Sequence, residues 1–449
     1  MEHRILIADL GKHTGETVMI EGSVDGKRSH GKLVFFDIRD RSGSVQAVAL
    51  PNHGDVLTLA SEISEESTLA LSGVVNKRPE KMVTEGQNGD IELEITKINV
   101  YAEAETLPFT GDAELNLDTL FDHRPLTVRR ARERAIFKVQ SEIIRAFREF
   151  LTEEEFVEIQ TPKIVGDDAE GGAGVFRLDY FNDKSAYLAT SPQLYKQIMV
   201  GAFERVFSTG TMFRAEKHST SRHLNELAML DFEMGFIQSH EDVMQMTTRL
   251  MRFVVQKIET RAEKEMAVCH ATLPSAPETF PQMKLREAQK LISEETGVDC
   301  TNEPDLEPEH ERWLSEYAKK THDSDFLFIT HYPVSKRPFY TMEDVEDMGY
   351  TKSFDLLFRG VELLSGSQRV HDYVMLREKI SAKGLDPEKF SFYLEAFKFG
   401  MPPHGGVGIG LERFTQKMLG LHNVKEASLF PRDMNRIDTL LHERDTDNE

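Results

Sequence analysis

Over the first hundred positions, apolar residues come in short runs that alternate with polar ones. Residues 18–22, 32–38, 44–49 and 69–75 are β-branched and apolar-rich, and residues 91–101 alternate like a final strand. Arg41-Ser42-Gly43-Ser44 supplies a hairpin turn. Five short strands around one apolar seam predict a small β-barrel of the OB type over residues 1–105.

The period then changes. Residues 106–130 lose it and gain Pro, Gly and Asp, which reads as a hinge. Ile136, Val139, Ile143, Ile144, Phe147 and Leu151 recur at helical spacing and predict a long amphipathic helix over 129–151. Residues 156–162 turn into extended structure, and strands outnumber helices up to Phe236. A helix follows over 241–264. Residues 265–325 read as an inserted subregion with helical stretches at 284–295 and 308–320, and strands resume at 326–330 and 354–364. Mixed strands with helices on one side predict an α+β domain over 131–449 rather than a parallel doubly wound sheet.

Composition narrows the class. Of 449 residues, 39% are hydrophobic and 29% charged, and no apolar run approaches the roughly 20 residues of a membrane span. Polar residues follow Met1 too soon for a secretory signal, and Cys269 and Cys300 lack metal-ligand spacing, so a reduced cytoplasmic setting is expected. A net charge of −22 argues against a polyanion partner unless charge is local. Lys27, Arg28, Lys32, Arg39 and Arg41, with Lys77, Arg78 and Lys81 beyond them, make a basic patch on the barrel possible. A solvated charged face is the plainer alternative.

Two distant runs carry the chemistry. Phe213-Arg214-Ala215-Glu216-Lys217-His218-Ser219-Thr220-Ser221-Arg222-His223-Leu224-Asn225-Glu226 sets arginines and carboxylates on a polar loop, as a phosphate-rich ligand requires. Gly406-Val407-Gly408-Ile409-Gly410-Leu411-Glu412-Arg413 opens with alternating glycines, which allow close backbone approach, and ends on another Arg. They resemble motifs 2 and 3 of the class II aminoacyl-tRNA synthetases, and 156–162 resembles motif 1, the dimer-building motif. Ser191-Pro192-Gln193-Leu194-Tyr195-Lys196-Gln197, Arg337-Pro338-Phe339-Tyr340 and Glu362-Leu363-Leu364-Ser365-Gly366-Ser367-Gln368-Arg369-Val370-His371 are similar to the aspartyl-tRNA synthetases of the compact archaeal type.

That resemblance implies an N-terminal OB-fold anticodon-binding barrel and a class II catalytic domain on an antiparallel sheet flanked by helices. It implies ATP and Mg²⁺, L-aspartate, tRNA(Asp), a homodimer and no membrane partner, and leaves open tRNA(Asn) as a second acceptor. Arg214 is expected on the α-phosphate, with Ala215 beside it and Glu216 on the same strand meeting adenine or the tRNA end. Arg222, His223, Leu224, Gly410, Leu411, Glu412 and Arg413 are expected around the nucleotide. Glu362 and Ser365 are expected on Mg²⁺, with Asp355 either joining them or pairing with an Arg. Lys196 and Arg369 resemble the pair that receives the aspartate side chain, among Gln193, Leu194, Tyr195 and Ser365. Gln193 and Glu170 are expected on the ammonium, with Glu170-Gly171-Gly172 as a lid, although Glu170 also reads as an ordinary loop residue. On the barrel, Arg28, Phe35 and Gln46 resemble the anticodon contacts.

Three positions depart from the pattern: Leu227 where an aromatic is common, Thr190 where Gln is common, and Ser23 where Trp is frequent. Asparagine--tRNA ligase and a non-catalytic RNA-binding paralogue stay open as alternatives. Lys196 and residues 365–369 speak against the first, and the presence of Arg214, Glu362 and Arg413 against the second.

Overall fold

The computed structural model describes residues 3–109, 113–166, 174–218 and 220–438. The chain forms two compact units, Met1–Leu115 and Asn116–Glu449.

In the first unit, strands β1 (Thr17–His30), β2 (Leu33–Arg39), β3 (Ser44–Ala49), β4 (Thr68–Lys77) and β5 (Ile91–Ala102) close a barrel in the order β1-β2-β3-β5-β4. Alternation decides which residues face inward. Val34, Phe36 and Ile38 of β2 are buried in the barrel core, while Phe35 and Asp37 between them face outward. A helix, Gly54–Glu62, was not foreseen; its Ala60 is buried in the same core.

The second unit carries strands β6 (Val157–Glu158), β7 (Ile164–Val165), β8 (Arg177–Tyr180), β9 (Lys184–Leu188), β10 (Arg205–Phe213), β11 (Glu226–Gly235), β12 (Gln282–Lys284), β13 (Phe326–Thr330), β14 (Ser353–Phe358), β15 (Val361–Gln368) and β16 (His404–Gly410). Eight form one sheet in the order β12-β13-β14-β15-β16-β11-β10-β6, and β7-β9-β8 form a small separate sheet. The large sheet is antiparallel through its middle and parallel only at its two edge pairs.

One face of that sheet is apolar. Leu230, Phe232, Phe328, Phe354, Leu364, Val407 and Ile409 pack there against the helices Ala131–Glu153 and His240–Arg261. Truncating a fully buried ring such as Phe232 to Ala would cost about 3–5 kcal/mol. Helices also cover part of the opposite face, contrary to the one-sided reading. Leu285–Thr296 and Pro308–His322 share a cluster with Leu327, Ile329 and Leu357, so these stretches of the 265–325 region belong to the same core as the sheet. The helix Gln193–Phe203, placed where strands were expected, packs on β10 and β11.

The segment read as a hinge is structured beyond residue 116. It forms helices Leu117–Asp122 and Arg124–Thr127 within the second unit. Arg124 is buried, pairing with Glu133 at 2.6 Å and donating to the Leu429 carbonyl at 2.8 Å. No helix among the described residues is long and apolar enough to cross a membrane.

Candidate active site

The site begins with the alternation of β11. Leu230 and Phe232 point into the core, so Asp231 and Glu233 between them must face the other way. Directly across on β16 stand Gly408 and Gly406. A Cβ on Gly406 would collide with the Glu233 carboxylate, and one on Gly408 would press Asp231 Oδ1 at 2.9 Å. These glycines therefore make room for the chain's own carboxylates, whereas Gly410 faces open space next to Arg413.

Both acids are buried and both meet cations. Lys196, on the helix Gln193–Phe203, donates to Asp231 Oδ1 at 3.0 Å and to the Val407 carbonyl at 2.8 Å, and lies 3.4 Å from Glu233. Arg369 donates Nε to Glu233 Oε1 at 2.8 Å and Nη2 to the Gly406 carbonyl at 2.9 Å. Burial alone would raise Glu233, but Arg369 and Lys196 outweigh it and hold the carboxyl below its ordinary range. Burial wins at Asp231, which is raised despite Lys196. Asp231 Oδ2 and Gln193 Nε2 are buried without a hydrogen-bond partner among the described residues.

A cavity of 400 Å³ opens over this floor. Gln193, Asp231, Ser367 and Arg369 line one part, and Arg214, Glu216, Arg222, Glu362, Ser365 and Arg413 line another. Leu224, Leu227 and Met229 supply an apolar wall. The three arginines differ in how they are held. Arg413 donates to the Glu362 carbonyl at 2.6 Å, and Arg222 pairs with Glu311 at 2.8 Å. Arg214 forms no side-chain hydrogen bond or ion pair with another described residue. Strand β10 ends at Phe213, so Arg214 and Glu216 sit on the following loop, not on one strand as expected. Asn225 fixes that loop by donating to the Arg214 and Glu216 carbonyls at 2.6 and 3.1 Å. His223 lies 3.6 Å from Glu216, and burial lowers its pKa.

Glu362 and Ser365 share a face only because the ladder is irregular. Three residues apart, they would point oppositely in a regular strand. The register between β14 and β15 shifts at Leu356/Leu357, bringing Glu362 opposite Leu357 and Ser365 opposite Asp355. Ser365 then donates to Glu362 Oε1 at 2.7 Å. Asp355 pairs with Arg337 Nη2 at 2.7 Å, the arginine partner that the sequence left as its alternative role. Burial, with Glu362 adding its charge against the pull of Arg337, pushes Asp355 up to about 6. Glu362 stays below its usual range because Arg413, Ser365 and Arg337 outweigh its burial. Glu412 accepts the Ala228 N–H at 3.0 Å, and burial pushes it up to about 7.

Several expected residues fall elsewhere. Leu194 and Tyr195 line a second, more apolar cavity of 530 Å³ with Phe390, Phe392 and Tyr393. Leu411 is packed in the sheet core, and Ala215 engages through its backbone, its N–H donating to the Gly174 carbonyl at 2.7 Å. Glu170 and its neighbouring glycines lie outside the described residues. Asp231, Glu233 and Arg337 were given no site role, although Arg337 opens one of the quoted runs. Two acids inside an otherwise apolar strand were the available signal for the first two.

On the barrel, Arg28 stands opposite Phe35, and Asp37 opposite Gln46. Arg28 reaches Asp37 at 3.1 Å and Gln46 Oε1 at 3.4 Å, and Arg78 also reaches Gln46 at 3.4 Å. Arg28, Phe35 and Gln46 thus gather on one outward face.

An antiparallel sheet with an arginine-lined cavity on one face, in a chain that also carries a five-stranded barrel, defines a class of enzyme. Residues 116–434 match the family model of the class II tRNA synthetases (D, K and N), and residues 18–101 match that of the OB-fold nucleic acid binding domain. The chain belongs to the class II tRNA synthetases, enzymes that use ATP as a substrate. It is 46% identical to the aspartate--tRNA(Asp/Asn) ligase of Thermus thermophilus, over 97% of this chain and 99% of that one. It is 39% identical to the aspartate--tRNA(Asp) ligase of Pyrococcus abyssi, over 94% and 96% respectively. A crystal structure of asparaginyl-tRNA synthetase from Pyrococcus horikoshii complexed with asparaginyl-adenylate superposes with a TM-score of 0.90 at 31% identity, covering 97% of this chain and all of that one.

Proposed function

We propose that this chain is an aspartate--tRNA ligase, activating L-aspartate with ATP and transferring it to the 3′ end of tRNA(Asp) and of tRNA(Asn). The observation that carries the reading is one cavity holding Arg214, Arg222 and Arg413 together with Arg369. The substrate α-carboxylate attacks the α-phosphorus of ATP, and pyrophosphate leaves. The terminal ribose hydroxyl of the tRNA then takes the aspartyl group and AMP leaves. Neither step needs a protein nucleophile, so the protein's part is alignment and positive charge.

Arg214, which has no side-chain partner among the described residues, holds the α-phosphate, while Arg222 and Arg413 hold the outer phosphates and nucleotide. Leu224, Leu227 and Met229 offer the adenine an apolar surface. Glu216 and His223 border the same space. Nε2 of Gln193 and Oδ2 of Asp231, which have no partner among the described residues, supply hydrogen bonds beside Arg369 for the amino acid. Glu362, Ser365 and Asp355 fit Mg²⁺: they are hard oxygen donors, and Asp355 Oδ1 is buried without a partner among the described residues. Bound with ATP, Mg²⁺ supplies positive charge to the phosphate oxygens. Arg28, Phe35 and Gln46 read the anticodon, and the protein works as a cytoplasmic homodimer built through the segment 156–162.

Asparagine is the second reading. Asp231 and Glu233 already neutralise Lys196 and Arg369, and a neutral amide would suit such a pocket better than an unscreened cation pair. Amino-acid-dependent pyrophosphate exchange separates the two. Exchange with aspartate and none with asparagine is expected; exchange with asparagine alone ends the proposal. Charging tRNA(Asp) and tRNA(Asn) side by side then tests the acceptor range.

A further inference from the structure

Arg337 has no part in the roles set out above, yet it is built into the site. Its guanidinium carbon lies 3.8 Å from the centroid of the Tyr332 ring, which fixes its plane. Its Nη2 pairs with Asp355 Oδ2 at 2.7 Å, and its side chain is only 16% exposed. The same side chain lines the large cavity with Glu362 and Ser365. Asp355 thus gives one oxygen to Arg337, and the other, Oδ1, is buried without a partner among the described residues. Glu362 spends Oε1 on the Ser365 hydroxyl. Among the described residues, no group of three His, Cys, Asp or Glu side chains is placed to hold a metal ion.

We infer that Arg337 prevents the Asp355–Glu362 pair from retaining a divalent cation by itself, so that the metal is held only together with a polyanionic ligand. A doubly charged ion brought to these carboxylates meets a fixed guanidinium already bonded to one of them. A triphosphate reverses the balance, because it adds negative charge and the oxygens that two protein carboxylates lack. Arg337 is on this view a positioning residue, acting through Asp355. The inference rests on reading this cavity as an ATP site, but its test uses neither ATP nor amino acid.

The test is a Mn²⁺ titration of the full chain without nucleotide, followed by the electron paramagnetic resonance signal of free Mn²⁺. The wild-type protein should bind more weakly than roughly 1 mM. Arg337→Gln should tighten binding about tenfold or more, since it removes one charge close to the ion. Arg337→Lys, which keeps the charge, should stay near wild type. Adding Glu362→Gln to Arg337→Gln should abolish the gain. A purely structural role for Arg337 would weaken metal binding or leave it unchanged, and either result overturns the inference. So does submillimolar binding by the wild-type chain that disappears in Glu362→Gln, which decides the matter even where Arg337→Gln fails to fold. Failure of pyrophosphate exchange would count against the proposed reaction and leave this titration readable.

Discussion

The two ends of the cavity handle positive charge in opposite ways. At the amino-acid end, Lys196 and Arg369 are buried and each is matched by an acid of the chain itself, Asp231 or Glu233. At the phosphate end, among the described residues, Arg214 has no side-chain partner and Arg413 hydrogen-bonds to a backbone carbonyl, that of Glu362. Buried ions must be paired to be tolerated, whereas a half-open guanidinium can stay in water until an anion arrives. One end is therefore part of the folded core, and the other is held in reserve for ligand. Substitution should separate them: stability ought to fall at the first end and activity at the second.

The largest effect is expected from Lys196→Met, which leaves Asp231 buried and unpaired. The cost should be about 3–5 kcal/mol in urea denaturation, and adding Asp231→Leu should restore much of it. A loss below about 1 kcal/mol would mean that the pair is not the structural element described here. Arg214→Ala should do the reverse. Removing a guanidinium that meets charge in the transition state costs about 3 kcal/mol, a hundredfold or more in kcat/KM for pyrophosphate exchange. The denaturation midpoint should not move, because Arg214 makes no side-chain bond to another described residue. A destabilised Arg214→Ala with normal exchange would erase the distinction.

How much of this contrast was legible beforehand depended on range. The barrel strands could be read because alternation is local, as at Val34, Phe36 and Ile38. Arg214, Glu362, Arg369 and Arg413 could be located because they stand in recognisable runs, and all four line the cavity. Their partners could not. Lys196 meets Asp231 across 35 positions and Arg369 meets Glu233 across 136, pairings set by sheet register rather than by neighbouring residues. The bulge that turns Glu362 toward Ser365 leaves no local trace either, since 354–364 reads as continuous strand. Leu194 and Tyr195 were misplaced for a related reason. Expected on strand-rich structure, residues 193–203 form a helix, and its spacing turns those two toward the second cavity while Lys196 enters the floor.

The amino-acid end should also carry a pH signature. His404 is fully buried behind Glu233, with Nδ1 on the Pro402 carbonyl at 2.8 Å, and burial lowers its pKa to about 4. Glu233 pulls the value up, while Arg369 and His371 push it down. A histidine lowered from 6.5 stays neutral in the fold and charges first in the unfolded chain. Its contribution is complete above pH 6.5 and is lost as pH falls toward 4, by about 3 kcal/mol. Unfolding free energy measured from pH 7 to 4.5 should therefore fall less steeply in His404→Asn. An unchanged slope would assign the acid sensitivity elsewhere, with His240, lowered to about 4 as well, the next group to replace.

The smallest effect concerns the apolar wall of the phosphate end. Leu227 leaves β11 toward the cavity beside Leu224 and Met229, across the strand pair from Met212. An aliphatic side chain covers a planar base but cannot stack on it; a ring adds about 0.5–1.5 kcal/mol beyond the area it buries. Leu227→Phe should lower the KM for ATP roughly two- to tenfold with little change in kcat, because the base stays in place while the phosphates react. The same variant should leave the aspartate KM untouched, since Leu227 packs with Ala189, Met212 and Met229 and makes no hydrogen bond or ion pair to the acid–cation pairs of the floor. A lowered kcat would instead mean that the ring reaches the loop at Arg214 and disturbs the phosphates. The apolar wall would then belong to the reacting centre and not merely to nucleotide binding.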